Sequence, residues 1–329
     1  MEFSSKADDG NLLLGSGYMC MFIVCAFSVN ALLVFAIVSD QKLRQSIFHL
    51  NILHICLILL LDVTVAQVFG LYTATANAVW IDSLCSIGIV SYLVINIQLF
   101  LGITVLVTER ALLLVDAAVY SRRVTRARFF IILTLCCVMS AGFSLASLWN
   151  PSSSLILPFG SCNLEKSPLQ ATESLLFINS LIVICYCLPL LTIFLSLAVI
   201  LYRAHQYRVR NRWTALFTST DPDDPLKQNL QLALYAFHVF LLYLFVQGPS
   251  ALLDIVLYLF NYGQSKLNKA AELSDLTILL NDYRIVLFSI RSQFALFFPI
   301  ITFSSCAEIR RRLASMTLCR TLCLTSPKT

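Results

Sequence analysis

Long apolar runs recur along this 329-residue chain and constrain its fold more than any other feature. A helix needs about 20 mostly apolar residues to cross the hydrocarbon core of a bilayer. Seven runs meet this requirement, at 18–38, 47–71, 82–112, 129–149, 174–202, 229–260 and 276–303. Their length and the lack of strict alternation predict helices rather than the strands of a barrel. We therefore expect an all-α membrane protein built as a bundle of seven transmembrane helices.

The distribution of positive charge predicts how the chain is oriented. Charged residues make up only 12% of the sequence, about half the share usual in soluble domains. Seventeen lysines and arginines lie in one set of connecting segments, and four lie in the other. Because the richer side is normally cytoplasmic, we expect an extracellular N-terminus (1–17), a transmembrane domain (18–303) and a cytoplasmic tail (304–329) in the plasma membrane. The net charge of +5 then reflects topology in the lipid bilayer rather than nucleic-acid binding.

Sequence signals of catalysis are missing. The four histidines are dispersed, and the chain has neither a glycine-rich phosphate loop nor a Gly-x-Ser-x-Gly motif. We expect no catalytic residues, no cofactor and no metal site. Neither internal repeats nor broken helices in paired halves occur, which disfavours a transporter.

Cysteine positions predict one disulfide bond. Cys85 and Cys162 are the only cysteines at the outer ends of the spans, where disulfides persist. A bridge between them is favoured over two unrelated thiols. Cys319 and Cys323 lie on the cytoplasmic side and are candidates for palmitoylation, with free thiols as the alternative. Between the last span and these cysteines, Ile309, Leu313 and Met316 recur at helical spacing among arginines, which predicts a short amphipathic helix on the inner leaflet.

Two charged pairs stand out inside the predicted spans, where charge is expensive and usually functional. Glu109 and Arg110 are adjacent at the inner end of the third span. They predict a conformational switch, with a simple interfacial anchor as the alternative. Asp62 and Arg291 lie deeper in the second and seventh spans. Either they pair inside the bundle or Arg291 binds a ligand, and the internal pair is favoured slightly.

Several of these residues resemble rhodopsin-like (class A) G-protein-coupled receptors over nearly the whole chain. Cys85 lies 25 residues before Arg110, which resembles the spacing between the family's disulfide cysteine and the arginine of its Asp/Glu-Arg-Tyr motif. The motif here is Thr108-Glu109-Arg110-Ala111. Further matches are a polar residue of helix one, a tyrosine of the second inner loop and three kink prolines, namely Asn30, Tyr120, Pro189, Pro249 and Pro299.

Within that family the chain most resembles the divergent odorant-receptor-like proteins of bony fishes. The segments that carry this likeness are 47–51, 161–165 and 256–260. Several family features are altered. The sixth helix has Val246-Gln247-Gly248-Pro249 in place of the family's Cys-Trp-x-Pro, and the seventh has Phe298-Pro299-Ile300-Ile301-Thr302 in place of Asn-Pro-x-x-Tyr. Asp62 is displaced by about one turn from the family's acidic position in the second helix.

The resemblance implies a chemosensory receptor that binds a small extracellular chemical ligand, such as an odorant, and activates a heterotrimeric G protein. Glu109, Arg110 and Tyr120 would form the coupling switch. The ligand pocket would include Tyr92, Asn96, Gln247, Asp254, Phe288, Arg291 and Ser292. A receptor-like protein that does not couple, or less plausibly a seven-helix transporter, is the alternative.

Overall fold

The computed structural model describes residues 5–68, 82–149, 180, 182–214, 225–253 and 290–315. The described residues are helical with short connections, and no strand occurs among them. The helices are α1 (Ser5–Ser39), α2 (Gln41–Gln45), α3 (Ile47–Leu61), α4 (Asp82–Val115), α5 (Ala117–Arg123), α6 (Arg126–Trp149), α7 (Leu188–Thr214), α8 (Pro225–Val246), α9 (Phe294–Ser305) and α10 (Ala307–Ser315). A π-helical turn extends α3 over Asp62–Gln67, and another precedes α7 at Val183–Cys187.

Six of these helical segments are long and apolar enough to cross a membrane. They are Gly17–Ser39, Ile47–Gln67, Val90–Val115, Arg126–Leu145, Val183–Val209 and Leu226–Val246. A seventh span is counted if Ile290–Ser305 and Ala307–Ser315, which are bent by 91° to one another, are taken together. The predicted all-α membrane bundle is therefore confirmed, with six or seven spans in the part of the chain that is described.

The pattern of burial fits a bundle surrounded by lipid. Helix α4 lies at its centre, and the segment Val90–Val115 is the most buried of the spans. Large apolar side chains point outward from the other helices, including Met21, Val138, Leu195 and Phe245, which are 63–72% exposed. So much exposed apolar surface is unfavourable in water but favourable in hydrocarbon.

Proline disturbs three of the helices. Pro189 follows the π-helical turn that precedes α7, and a turn at Gln247, two residues before Pro249, ends α8. Pro299 lies inside α9 and has no N–H to donate to the carbonyl of Ala295. The side-chain amide of Asn30 on α1 donates to that carbonyl instead, at 2.7 Å. Asn30 thus satisfies a backbone group that has no alternative partner in lipid.

Arginines cap the ends of several helices at one end of the bundle, which we term the basic end. It is the end at which α1 and α4 finish and α3 and α6 begin. The guanidinium groups donate to carbonyls in or next to the last turns of α1, α2, α4, α5 and α9; the pairs are Arg312 with Ser39, Arg126 with Gln45, Arg203 with Val115, Arg128 with Arg123 and Arg310 with Ser304. Cations are favourable at helix C-termini because of the unpaired carbonyls and the helix dipole there.

Candidate functional site

A buried charge pair lies at the basic end of α4. The guanidinium of Arg110 donates from Nε to Glu109 Oε2 and from Nη2 to Glu109 Oε1, and each residue is only 5% exposed. The hydroxyl of Tyr120 on α5 donates to the same carboxylate. Burial, and then the neighbouring Glu109, raise the pKa of Tyr120 above its usual value of 10, so the hydroxyl stays protonated as a donor. The structure thus brings together all three residues of the predicted switch.

Aromatic side chains connect this pair to two other helices. The ring of Phe48 on α3 lies beneath the guanidinium of Arg110, with 4.5 Å between its centroid and Cζ. Phe48 in turn makes an edge contact with Tyr235 on α8, at a centroid distance of 5.7 Å. The hydroxyl of Tyr235 is 2.7 Å from that of Thr302 on α9, which itself donates to the carbonyl of Phe298. Arg110 is therefore covered by a chain of contacts that includes α8 and α9.

The second charge pair lies deeper in the bundle and joins α3 to the segment before α9. Arg291 Nη2 is 3.7 Å from Asp62 Oδ1, and both residues are buried. The guanidinium also lies over the ring of Tyr92 on α4, with 4.2 Å between Cζ and the centroid. Gln247 donates to the backbone carbonyl of Arg291 at 3.3 Å. Of the two arrangements that the sequence left open, the structure has the internal pair.

The π-helical turn over Asp62–Gln67 explains how the carboxylate is held. In an α-helix, residues five apart diverge by about 140° around the axis. The i to i+5 bonding of a π-helical turn brings such residues close to alignment. As a result, the Gln67 side chain donates to Asp62 Oδ2 at 3.2 Å, whereas Arg291 lies nearest to Oδ1. Gln67 could not be predicted as a partner of Asp62, because the local widening of the helix cannot be inferred from apolar periodicity.

Among the predicted pocket residues, Tyr92, Gln247 and Arg291 lie together around this pair. Ser292 is buried next to Arg291, and Asn96 is half-buried one helical turn from Tyr92 on α4. Asp254 and Phe288 lie outside the described residues, as do Cys162, Cys319 and Cys323. Cys85 lies in α4, but its side chain is likewise outside the description.

Aromatic rings occupy the space between the two charge pairs. Tyr243 on α8 stacks on Phe100 of α4 at 5.2 Å and makes an edge contact with Phe294 at 5.8 Å. Phe294 stacks on Phe298, also at 5.8 Å. Phe294, Phe298 and Thr302 follow each other at steps of four residues, so they share one face of α9, which extends roughly 12 Å. Arg291 precedes Phe294 by three residues, across the turn at Gln293.

A further polar cluster joins α3, α4 and α6. The amide of Gln98, which is 1% exposed, donates to His54 Nε2 at 2.9 Å and to Cys137 Sγ at 3.2 Å. Its oxygen accepts from the hydroxyl of Ser140 at 2.9 Å. The cluster satisfies polar groups within the bundle. In the described ranges, no group of three or more histidine, cysteine or acidic residues could hold a metal ion.

Comparisons with known proteins do not assign this chain. No protein-family model matches it, and no curated protein matches it. The site is therefore interpreted from its own geometry and from the motifs in the sequence.

Proposed function

We propose that this chain is a G-protein-coupled receptor of the rhodopsin-like type, with a chemosensory role that resembles an odorant receptor. It would lie in the plasma membrane with its N-terminus outside and the basic end of the bundle in the cytosol. The observation that carries the proposal is the buried Glu109–Arg110 pair at the basic end, covered by residues linked to α8 and α9.

The cover over Arg110 includes a weak polar link. A neutral hydrogen bond between Tyr235 and Thr302 joins α8 to α9 beside this site. Such a bond contributes only about 1 kcal/mol net. Movement of α8 away from the bundle would break it, release Phe48 and open a path to the guanidinium of Arg110. A ligand that binds the two arrangements with different affinities would bias the equilibrium between them.

The deeper charge pair supports the position proposed for the ligand. Tyr92 lies on α4, Gln247 lies at the turn that ends α8, and Arg291 lies in the segment before α9. A small molecule that contacts all three would therefore interact with three parts of the bundle at once. Because Asp62 already neutralises Arg291, an uncharged ligand would enter this site without creating a charge imbalance. Phe294 and Phe298 pack against each other on α9, and the hydroxyl of Thr302 donates to the carbonyl of Phe298. Continuous contacts therefore connect the proposed ligand site to Thr302.

Nucleotide exchange on purified heterotrimeric G proteins tests the proposal. The full chain is reconstituted in lipid nanodiscs, and exchange is measured alone and with panels of odorants, amino acids and lipids. The Arg110→Ala variant should abolish exchange. Because it also removes the partner of the buried Glu109, exchange is compared at equal amounts of folded protein. Arg311→Ala, at an exposed position on α10, is the matched control and should leave exchange unchanged.

The outcomes distinguish the alternatives. Full activity of the Arg110→Ala protein would remove the main basis for the proposal. A folded wild-type protein that promotes no exchange with any G protein or compound would instead indicate a receptor-like chain that does not couple.

A further inference from the structure

Six exposed basic side chains lie on α2, α5 and α6 at one edge of the basic end. We term this set the basic patch, and its members are Lys42, Arg44, Arg122, Arg123, Arg126 and Arg128. Two hydrogen bonds join the three helices that carry the patch. Arg126 at the start of α6 donates to the carbonyl of Gln45 at the end of α2, at 2.9 Å. Arg128 donates to the carbonyl of Arg123 at the end of α5, at 2.8 Å.

No acidic side chain of the same segments neutralises this patch. The sequence has no aspartate or glutamate from 41 to 61 or from 117 to 149. The two acids that flank these segments are committed to other groups. Asp40 accepts from the backbone N–H of Lys42 and lies 3.8 Å from Arg312. Asp116 accepts from the backbone N–H groups of Ala118 and Val119. The six positive charges therefore face outward without counter-ions from their own helices.

The residues that follow the patch on α6 indicate that it borders on lipid. Helix α6 starts at Arg126, and the span Arg126–Leu145 is the least buried of the membrane spans. Phe130, Ile131 and Ile132 are 44–58% exposed and lie one turn further into the span. Residues three and four apart share a face of a helix. Arg126 is thus aligned with Phe130, and Arg128 with Ile131 and Ile132, so guanidinium and lipid-facing side chains follow each other along the same surface.

We propose that the basic patch binds the headgroup of an acidic phospholipid in the leaflet at the basic end. The exposed apolar residues would contact its acyl chains while the arginines and lysines contact its phosphates. Clusters of four to eight basic residues beside a transmembrane helix favour anionic lipids in this way. A planar guanidinium suits phosphate because it can donate two parallel hydrogen bonds. Because the backbone carbonyls of Gln45 and Arg123 already orient Arg126 and Arg128, little side-chain freedom is lost on binding. The inference needs only a membrane protein and does not depend on receptor activity.

Titration of the full chain in an uncharged detergent with phosphatidylinositol 4,5-bisphosphate tests this inference. Each basic side chain near an anionic surface strengthens binding about fivefold. Replacing Arg126 and Arg128 by glutamine should therefore weaken binding of this lipid roughly 30-fold. Lys42→Gln with Arg44→Gln should have a similar effect. This second variant leaves the bond between Arg126 and Gln45 in place, so it keeps the test valid if the first variant folds poorly.

Matched controls separate a local site from general charge attraction. Arg208→Gln with Lys227→Gln removes the same charge from exposed positions on α7 and α8, and it should change binding little. Equal weakening in this control would overturn the inference, as would binding of phosphatidylcholine with the same affinity. Equally tight binding of poly-glutamate would assign the patch to an acidic protein. Equally tight binding of free inositol 1,4,5-trisphosphate would assign it to a soluble ligand, and either result would also overturn the inference.

Discussion

Replacing Asp62 leaves the Arg291 guanidinium as an uncompensated charge inside the membrane, and replacing Arg291 leaves a buried carboxyl without its partner. The two side chains are only 8% and 4% exposed, and their closest charged atoms are 3.7 Å apart. A guanidinium cannot release its proton in a protein, so Asp62→Leu leaves a buried cation, whereas the Asp62 carboxyl that remains in Arg291→Leu can take up a proton at a cost in free energy. In Asp62→Leu the cation remains on the ring of Tyr92 but has lost the carboxylate.

The distance sets the expected magnitude. Two unit charges 3.7 Å apart attract each other by about 4.5 kcal/mol at an effective dielectric constant of about 20. Removal of one partner from a buried pair typically costs roughly 3–5 kcal/mol. We expect each single variant to lower the free energy of unfolding by that amount. The double variant should recover most of the loss, because neither buried charge then remains without its partner.

Reversible unfolding in bicelles, with all variants in the same lipid, measures these free energies. Because the double variant should lose less than either single variant, the coupling free energy from the double-mutant cycle should be at least as large as one single loss, roughly 3–5 kcal/mol. Arg291→Lys is the matched control: it keeps the charge but loses the planar contact with Tyr92, so its loss should be smaller than that of Arg291→Leu. If the two single losses simply add in the double variant, the pair does not stabilise the fold and the reasoning is wrong.

Three further predictions concern single hydrogen bonds. Asn30→Ala should lower the free energy of unfolding by roughly 1–3 kcal/mol, because it leaves the carbonyl of Ala295 unsatisfied. The loss should be smaller in a Pro299→Ala background, where residue 299 regains an N–H that can donate to this carbonyl. Additive losses in melting experiments would contradict this. Tyr120→Phe should cost about 1 kcal/mol. Because the pKa of Tyr120 is raised in the folded state, stability from this group should be complete below pH 10 and decline as the pH rises beyond it, a trend that the Phe variant should lack. The hydrogen bond between Tyr235 and Thr302 should restrain α8, so Tyr235→Phe and Thr302→Val should each raise basal nucleotide exchange. The double variant should raise exchange no further than either single variant. A fall in basal exchange would argue against this restraining role.

The lipid-facing character of the chain and the helical form of its spans could be predicted from the sequence. The length of an apolar run that can span a membrane is set by the thickness of the hydrocarbon core. Every backbone polar group in lipid must be hydrogen-bonded internally, and for runs of about 20 residues without strict alternation this requires helices. The grouping of Glu109, Arg110 and Tyr120 was also accessible, because two of them are adjacent and the third is only eleven residues from the carboxylate. Local spacing limits where such residues can lie.

Other parts of the candidate site required the tertiary structure. Phe48, Tyr235 and Thr302 are far apart in the chain, and apolar or weakly polar residues of this kind occur throughout the spans. Phe48 and Thr302 belong to segments that the family resemblance marks, but nothing in those segments shows that Phe48 covers Arg110 or that Thr302 meets Tyr235. Gln67 reaches Asp62 only because the helix widens locally into a π-helical turn, which changes the angular relation between residues five apart.

Because neither Arg291 nor Arg110 can lose its proton in a low-dielectric medium, the sequence alone establishes that each of these charges needs a partner when it is buried. It left open whether Arg291 would meet an internal acid or an external ligand, because helical periodicity sets the face on which a side chain lies but not the rotation or depth of the neighbouring helix. Only the packing of α3 and α4 against the segment before α9 decided in favour of Asp62 and the ring of Tyr92. The partner of a buried charge depends on the relative placement of three helices, and that placement arises from many apolar contacts acting together.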